Sequence, residues 1–325
     1  MSGTPPSSGL VTYDDSAAEI TIRKLQEGAR EYQRYSISAA TQKLYSDAWV
    51  AFYDWCRTHN LSHLPATPQT VCLFLTARAE NHVYRSVRRD AAALAMLHRL
   101  AKLPSPTESE DVRLLLRGMG RIKGDVATPK RALVLEDILK ILPLLPDSLH
   151  GVRDRTILLL GLYGALRRSE IVALQAEDLT FVEGGVVLLL RFTKTDIRRQ
   201  GVRVAVRSHS NPEVCAVDAL TRWLKATGIE TGPVFRSVDC YGRVGTNAIS
   251  TSAVAQIVKQ WVAAIGLDPK VFSGHSLRRG FATTASRQGV PLQKIAVHMR
   301  HVSTDSTFGY IEVSEAVRDG VLLDV

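Results

Sequence analysis

The sequence predicts a mainly α protein of two domains. A small all-helical domain comes first, followed by a larger, mostly helical domain that holds a small antiparallel sheet. Three observations carry this. Apolar residues recur at spacings of three and four through residues 38–123. The run GDVATPK, residues 124–130, then breaks the pattern. Between residues 178 and 207 the period changes to two before helical spacing resumes. The 325 residues suit two domains of ordinary size.

Residues 1–15 offer almost nothing to bury and are expected to be a disordered tail. Ser38 is placed as the N-cap of a helix through Thr58, whose Leu44, Tyr45, Ala48, Trp49, Phe52, Trp55 and Cys56 make one buried stripe. Thr67 and Pro68 open a second helix carrying Val71, Phe74 and Leu75, with proline at the first helical position, where its missing N–H costs little. Helices follow at residues 83–103 and 108–123. The helical domain thus spans residues 16–124, a linker 125–131, and the second domain 132–325. In that domain helices are expected at 135–145 and 152–166, strands at 186–190 and 202–207, and helices again at 214–227, 250–265, 275–288, 292–298 and 303–310. The polar segment 193–201 puts Lys194 at or near a hairpin tip.

Net charge is +9 and the pI about 9.5, a balance that favours polyanionic partners, nucleic acid first. Cys56, Cys72, Cys215 and Cys240 are far apart in sequence. They suggest reduced thiols of a cytosolic protein rather than a disulfide framework or zinc site. Residues 1–10 lack the charged and apolar regions of a signal peptide, and the longest apolar run, 157–166, is too short to span a bilayer. No membrane association is expected.

Several groups of residues have the chemistry to handle a phosphate. Arg167 follows the apolar run 157–166, and Glu170 lies one helical turn later, able to orient it. Lys194 is an ammonium on a turn. His275 begins a helix after Ser273 and Gly274, with Arg278 at i+3, so an imidazole, a guanidinium and a helix N-terminus converge. His301 and Tyr310 lie nine residues apart. In the helical domain Lys43, Arg85, Arg88, Arg89, Arg121 and Lys123 supply cations able to hold a DNA backbone. Each group also has a structural reading: an ion pair at a helix junction, a solvated turn lysine, a capping histidine, a solvated basic face.

Taken in order, the set Arg…Lys…His-x-x-Arg…His…Tyr, with GALRRSEI, FTKT, SGHSLRRGFATT and the nine-residue His-to-Tyr gap, closely resembles the tyrosine recombinase (phage integrase) family over about residues 35–312. The resemblance implies a C-shaped DNA clamp of a core-binding and a catalytic domain, in a simple Cre-like recombinase. It implies that Arg167 and Arg278 bind the scissile phosphate and that Glu170 supports Arg167. Lys194 would protonate the leaving 5′ oxygen, His275 would assist proton transfer, and His301 would hydrogen-bond the phosphate. Tyr310 would attack to give a 3′-phosphotyrosine. No metal, ATP or other cofactor is implied. The implied partners are double-stranded DNA with inverted-repeat half-sites and other copies of the chain, a dimer per site and a tetramer on DNA. The expected location is cytoplasmic, on DNA, and a helix at 315–323 would pack in cis or on a neighbouring protomer. Two alternatives are a catalytically weak, recombinase-derived DNA-binding or regulatory protein and a type IB topoisomerase-like enzyme.

Overall fold

The structure is a computed structural model that describes residue 25 and residues 37–124, 130–191 and 201–301. The expected tail, the helices at 303–310 and 315–323, Lys194 and Tyr310 lie outside the described residues. The chain divides into two compact units, Met1–Ala127 and Thr128–Val325.

The first unit contains four described α-helices: α1 (Ala39–Thr58), α2 (Pro68–Asn81), α3 (Tyr84–Leu100) and α4 (Glu110–Lys123). Ser38 Oγ accepts from Thr41 N at 3.2 Å, and Thr67 Oγ1 accepts from Thr70 N at 3.1 Å, so both expected caps start their helices. Phe52, Val71, Phe74, Leu75, Val87, Leu94 and Val112 form the core. Phe52 and Phe74 meet edge to face at 4.9 Å. Burial on α1 begins at Ala48, and Leu44, one turn earlier on the same ridge, is 41% exposed.

The second unit opens with α5 (Leu135–Ile141), α6 (Leu149–Tyr163) and the short α7 (Arg168–Ala173). Strands β1 (Leu179–Val182), β2 (Gly185–Leu190) and β3 (Val202–Arg207) form an antiparallel sheet in the order β1-β2-β3. The apolar run on α6 is the centre of the core, with Ile157, Leu158, Leu159 and Leu160 fully buried. Thr156 Oγ1 donates to Ala219 O at 2.9 Å, tying α6 to α8 (Ala216–Thr227). β3 alternates as its sequence predicts: Val204 and Val206 are buried, Arg203 and Arg207 exposed. Leu190 pairs with Val202 across the sheet, and the connection 192–200 holds Lys194.

A second sheet was not expected from the sequence. β4 (Arg236–Val238) and β5 (Val244–Ala248) pair antiparallel, in a stretch expected to hold only helices and connections. Three- and five-residue strands with an irregular register are too short to show a period. The turn is built locally: Asp239 Oδ1 accepts from the N–H groups of Tyr241 and Arg243 at 2.9 Å each.

The last described helices are α9 (Thr251–Ala264), α10 (Ser276–Arg287) and α11 (Leu292–Met299). α10 is pressed against the segment leading into α5, where Leu133 N donates to Ser276 O at 2.9 Å. A Cβ added at Gly280 would lie 1.7 Å from Leu133 O, so only glycine permits this approach. Gly280→Ala is expected to destabilise the unit by about 1–3 kcal/mol through overpacking. Thermal unfolding checks this, and an unchanged midpoint contradicts the packing described.

Candidate active site

The site is assembled where α6 gives way to α7 and where α10 passes the end of α11. After Tyr163 the chain turns through Gly164 and Ala165, and Ala165 adopts a left-handed φ of 45°. Its carbonyl accepts from Arg278 Nη1 at 2.6 Å and from Arg300 Nη2 at 2.9 Å. Arg278 also donates from Nη2 to Met299 O. It is wholly buried, on the first turn of α10.

Arg167 is the N-cap residue of α7, and Glu170 lies on the first turn. Glu170 is 2% exposed. Its Oε1 accepts from Arg167 Nη1 at 2.5 Å, and its Oε2 accepts from Arg167 N and Arg300 Nη2, each at 2.9 Å. The orienting role expected of Glu170 therefore has a geometric basis, and Arg167 rather than Arg168 is the arginine it holds. Arg168 packs over the Gly274 turn instead.

Arg167 and Arg300 thus share one carboxylate, and Arg278 shares the Ala165 carbonyl with Arg300. Their field is felt at His301. Burial, together with the Arg278, Arg167 and Arg300 guanidiniums, lowers the His301 pKa to about 4, so its ring is neutral at pH 7. Next to it, His298 Nε2 donates to Tyr163 O at 2.8 Å and the ring stacks on Phe281. Burial lowers the His298 pKa as well.

The structure therefore gathers Arg167, Glu170, Arg278 and His301. His275 is the exposed residue before α10, and Arg278, three residues on, is buried. Lys194 and Tyr310 are not described. A crevice lined by Glu170, Ala173, Leu174, Leu189, Leu190 and Arg191 joins the site to the end of β2, from which the Lys194 segment departs. Arg300 escaped sequence reasoning. In His298-Met299-Arg300-His301 it looks like an ordinary basic residue, and only contact with Glu170 reveals it.

Within the first unit Lys43, Arg85, Arg88, Arg121 and Lys123 are exposed. Lys123 Nζ donates to Ala79 O. Arg89 is only partly exposed. It pairs with buried Asp90 at 3.3 Å, and Asp90 also takes Arg78 at 3.0 Å. The charge of Arg89 is therefore shared inside the protein. His98, on the same helix as Arg89, is buried and structural: Nδ1 donates to Leu94 O and Nε2 accepts from Ala66 N.

The low pKa of His301 sets a pH dependence. An unfolded imidazole titrates near 6.5 and the folded one near 4, so between these values the unfolded chain holds the extra proton. This contribution leaves stability intact above about pH 6.5 and erodes it as pH falls toward 4. His301→Gln is expected to flatten that slope in unfolding curves measured at several pH values. An identical slope in the variant contradicts the neutral, crowded ring.

Fixed guanidiniums beside a neutral imidazole on a mainly helical scaffold are groups able to bind a phosphodiester and stabilise added negative charge on it. Residues 131–316 match the phage integrase family. The chain is 34% identical over 286 residues to an integrase/recombinase xerD homolog of Selenomonas ruminantium, covering 87% of this chain and 84% of that protein. It is 26% identical over 303 residues to the recombinase cre of Escherichia phage P1, covering 86% and 85%. Its fold is shared with a lambda integrase tetramer bound to a Holliday junction, with TM-score 0.60 and 16% identity over 94% of this chain and 82% of that one.

The chain belongs to the phage integrase family. It is a tyrosine recombinase, an enzyme that cleaves and rejoins DNA at specific sites.

Proposed function

We propose that the chain exchanges DNA strands through a 3′-phosphotyrosine, with Tyr310 as nucleophile. Arg167 and Arg278 bind the non-bridging oxygens of the scissile phosphate and Glu170 holds Arg167 in place. His301 donates a hydrogen bond to the same phosphate. The phenol oxygen of Tyr310 forms the new P–O bond, and His275 assists removal of its proton. The bond to the 5′ oxygen breaks, and Lys194 gives that oxygen a proton. Rejoining is the reverse with a different 5′ hydroxyl. One ester replaces another at each step, so strand exchange needs no ATP.

The gathering of Arg167 and Arg300 on Glu170, with Arg278 on the Ala165 carbonyl and all three acting on His301, carries this reading. A phosphodiester brings one negative charge and gains a second as the nucleophile adds, and fixed guanidiniums favour both. The domain assignment, a helical DNA-binding domain at 16–124 and a catalytic domain at 132–325, belongs to the same proposal. So does backbone contact by Lys43, Arg85, Arg88, Arg89, Arg121 and Lys123. Inverted-repeat half-sites, a dimer on each and a tetramer during exchange are proposed too, supported by the lambda integrase tetramer on a Holliday junction. The enzyme would act in the cytoplasm, on DNA. Among the described residues no helix is long and apolar enough to cross a membrane.

A plasmid carrying two copies of a candidate inverted-repeat site, sought in the DNA beside the gene, tests this reading. Excision or inversion is expected without ATP. Relaxation of supercoils with no exchange points instead to topoisomerase-like action. DNA binding with neither outcome points to a regulatory protein.

A further inference from the structure

We infer that Arg300 is a positioning residue of this catalytic centre. It fixes Glu170 and the Ala165 carbonyl so that Arg167 and Arg278 address one phosphate. The inference rests on the function proposed above.

The argument starts from the backbone. Arg300 has φ 58°, in the left-handed region that residues with a side chain enter only at a cost. Its side chain is 6% exposed, and a buried guanidinium is costly unless it is fully bonded. A glycine would meet the backbone demand without either cost, so the side chain needs a reason to be there.

Its contacts give that reason. Nη1 donates to Gly164 O at 3.2 Å and His298 O at 2.9 Å, and Nη2 donates to Ala165 O and Glu170 Oε2, each at 2.9 Å. These four bonds use all four Nη hydrogens, so the Nη groups have nothing left for DNA. Two of the acceptors are shared with the phosphate-binding arginines. Glu170 takes Arg167 on Oε1 and Arg300 on Oε2, which fixes the carboxylate at both oxygens. Ala165 O takes Arg278 and Arg300 together. Arg300 therefore links the supports of both arginines.

It also adds charge where His301 sits. The charged groups acting on that ring are Arg278 from α10, Arg167 from the start of α7 and Arg300 from the end of α11. Removing Arg300 takes away one of the three.

Arg300→Gly tests this, because glycine adopts φ 58° freely and the change isolates the side chain. Single-turnover cleavage of saturating nicked duplex is expected to fall about 10²-fold, the cost of misplacing a reacting group by about 1 Å. DNA affinity should stay within about threefold, since the phosphate contacts of the first unit remain. The His301 titration, followed by NMR in the free protein and assigned with His301→Gln, should move up from about 4. Arg300→Lys keeps the charge but not the four-bond fork, so it should hold the His301 titration low without restoring the rate.

The inference is overturned if Arg300→Gly cleaves within about threefold of wild type, if its defect vanishes at saturating DNA, or if Arg300→Lys restores the full rate. If Arg300→Gly does not fold, Arg300→Lys decides: a full rate overturns the inference and a slow rate with a low His301 titration supports it. Wild type is the control. A wild type that forms no adduct overturns the recombinase reading, whereas equal cleavage by both proteins overturns this inference alone.

Discussion

Arg278→Ala is expected to slow single-turnover strand cleavage about 10²–10³-fold at saturating DNA, the usual cost of deleting one donor to a developing oxyanion. Arg278 is wholly buried and spends Nη1 on Ala165 O and Nη2 on Met299 O. Its removal takes one of the three guanidiniums and strips a donor from Met299 O, while Ala165 O keeps Arg300. The second effect costs stability, about 1–3 kcal/mol for each group stranded. Arg278→Lys separates the two effects in part: it keeps a charge, but a single ammonium cannot repeat the planar fork. Both variants should bind DNA yet cleave slowly. Cleavage by Arg278→Ala within tenfold of wild type contradicts its role at the phosphate.

The largest stability effect is expected at Glu170. The carboxylate is 2% exposed and pairs with both Arg167 and Arg300, whose side chains are 13% and 6% exposed. Glu170→Gln leaves two buried cations without that counter-charge, and breaking a buried pair in this way costs about 3–5 kcal/mol. The sign of the rescue is specific. Sulfate supplies negative charge to the same cations, so it should stabilise the variant more than wild type. Thermal unfolding across a sulfate series measures both. Equal stabilisation of the two proteins contradicts a shared cationic pocket.

The sequence made the scaffold readable where one signal dominated. Ser38 and Thr67 start helices because a side-chain oxygen meets a free N–H three residues on. Val202 to Arg207 forms a strand because alternate residues must face the core. The second sheet was hidden, since its strands are too short for a period and its turn depends on Asp239. In the site, Arg167 and Glu170 were legible because one turn of helix separates them. Arg300 was not, because its partners Glu170 and Ala165 lie more than a hundred residues away in sequence. The contacts of Arg89 and His98 were hidden too. Each sits on a basic helix, and only the fold reveals Asp90 beneath one and the Ala66 N–H beside the other.

The central claim is that these cations serve one phosphate attacked by Tyr310. A nicked duplex that traps the cleaved strand tests it most directly, with the denaturation-resistant adduct digested and mapped by mass spectrometry. The expected result is a nucleotide joined through its 3′ phosphate to Tyr310, absent in Tyr310→Phe although that variant still binds the duplex. An adduct on another residue, or none from a wild type that binds the same DNA, contradicts the account.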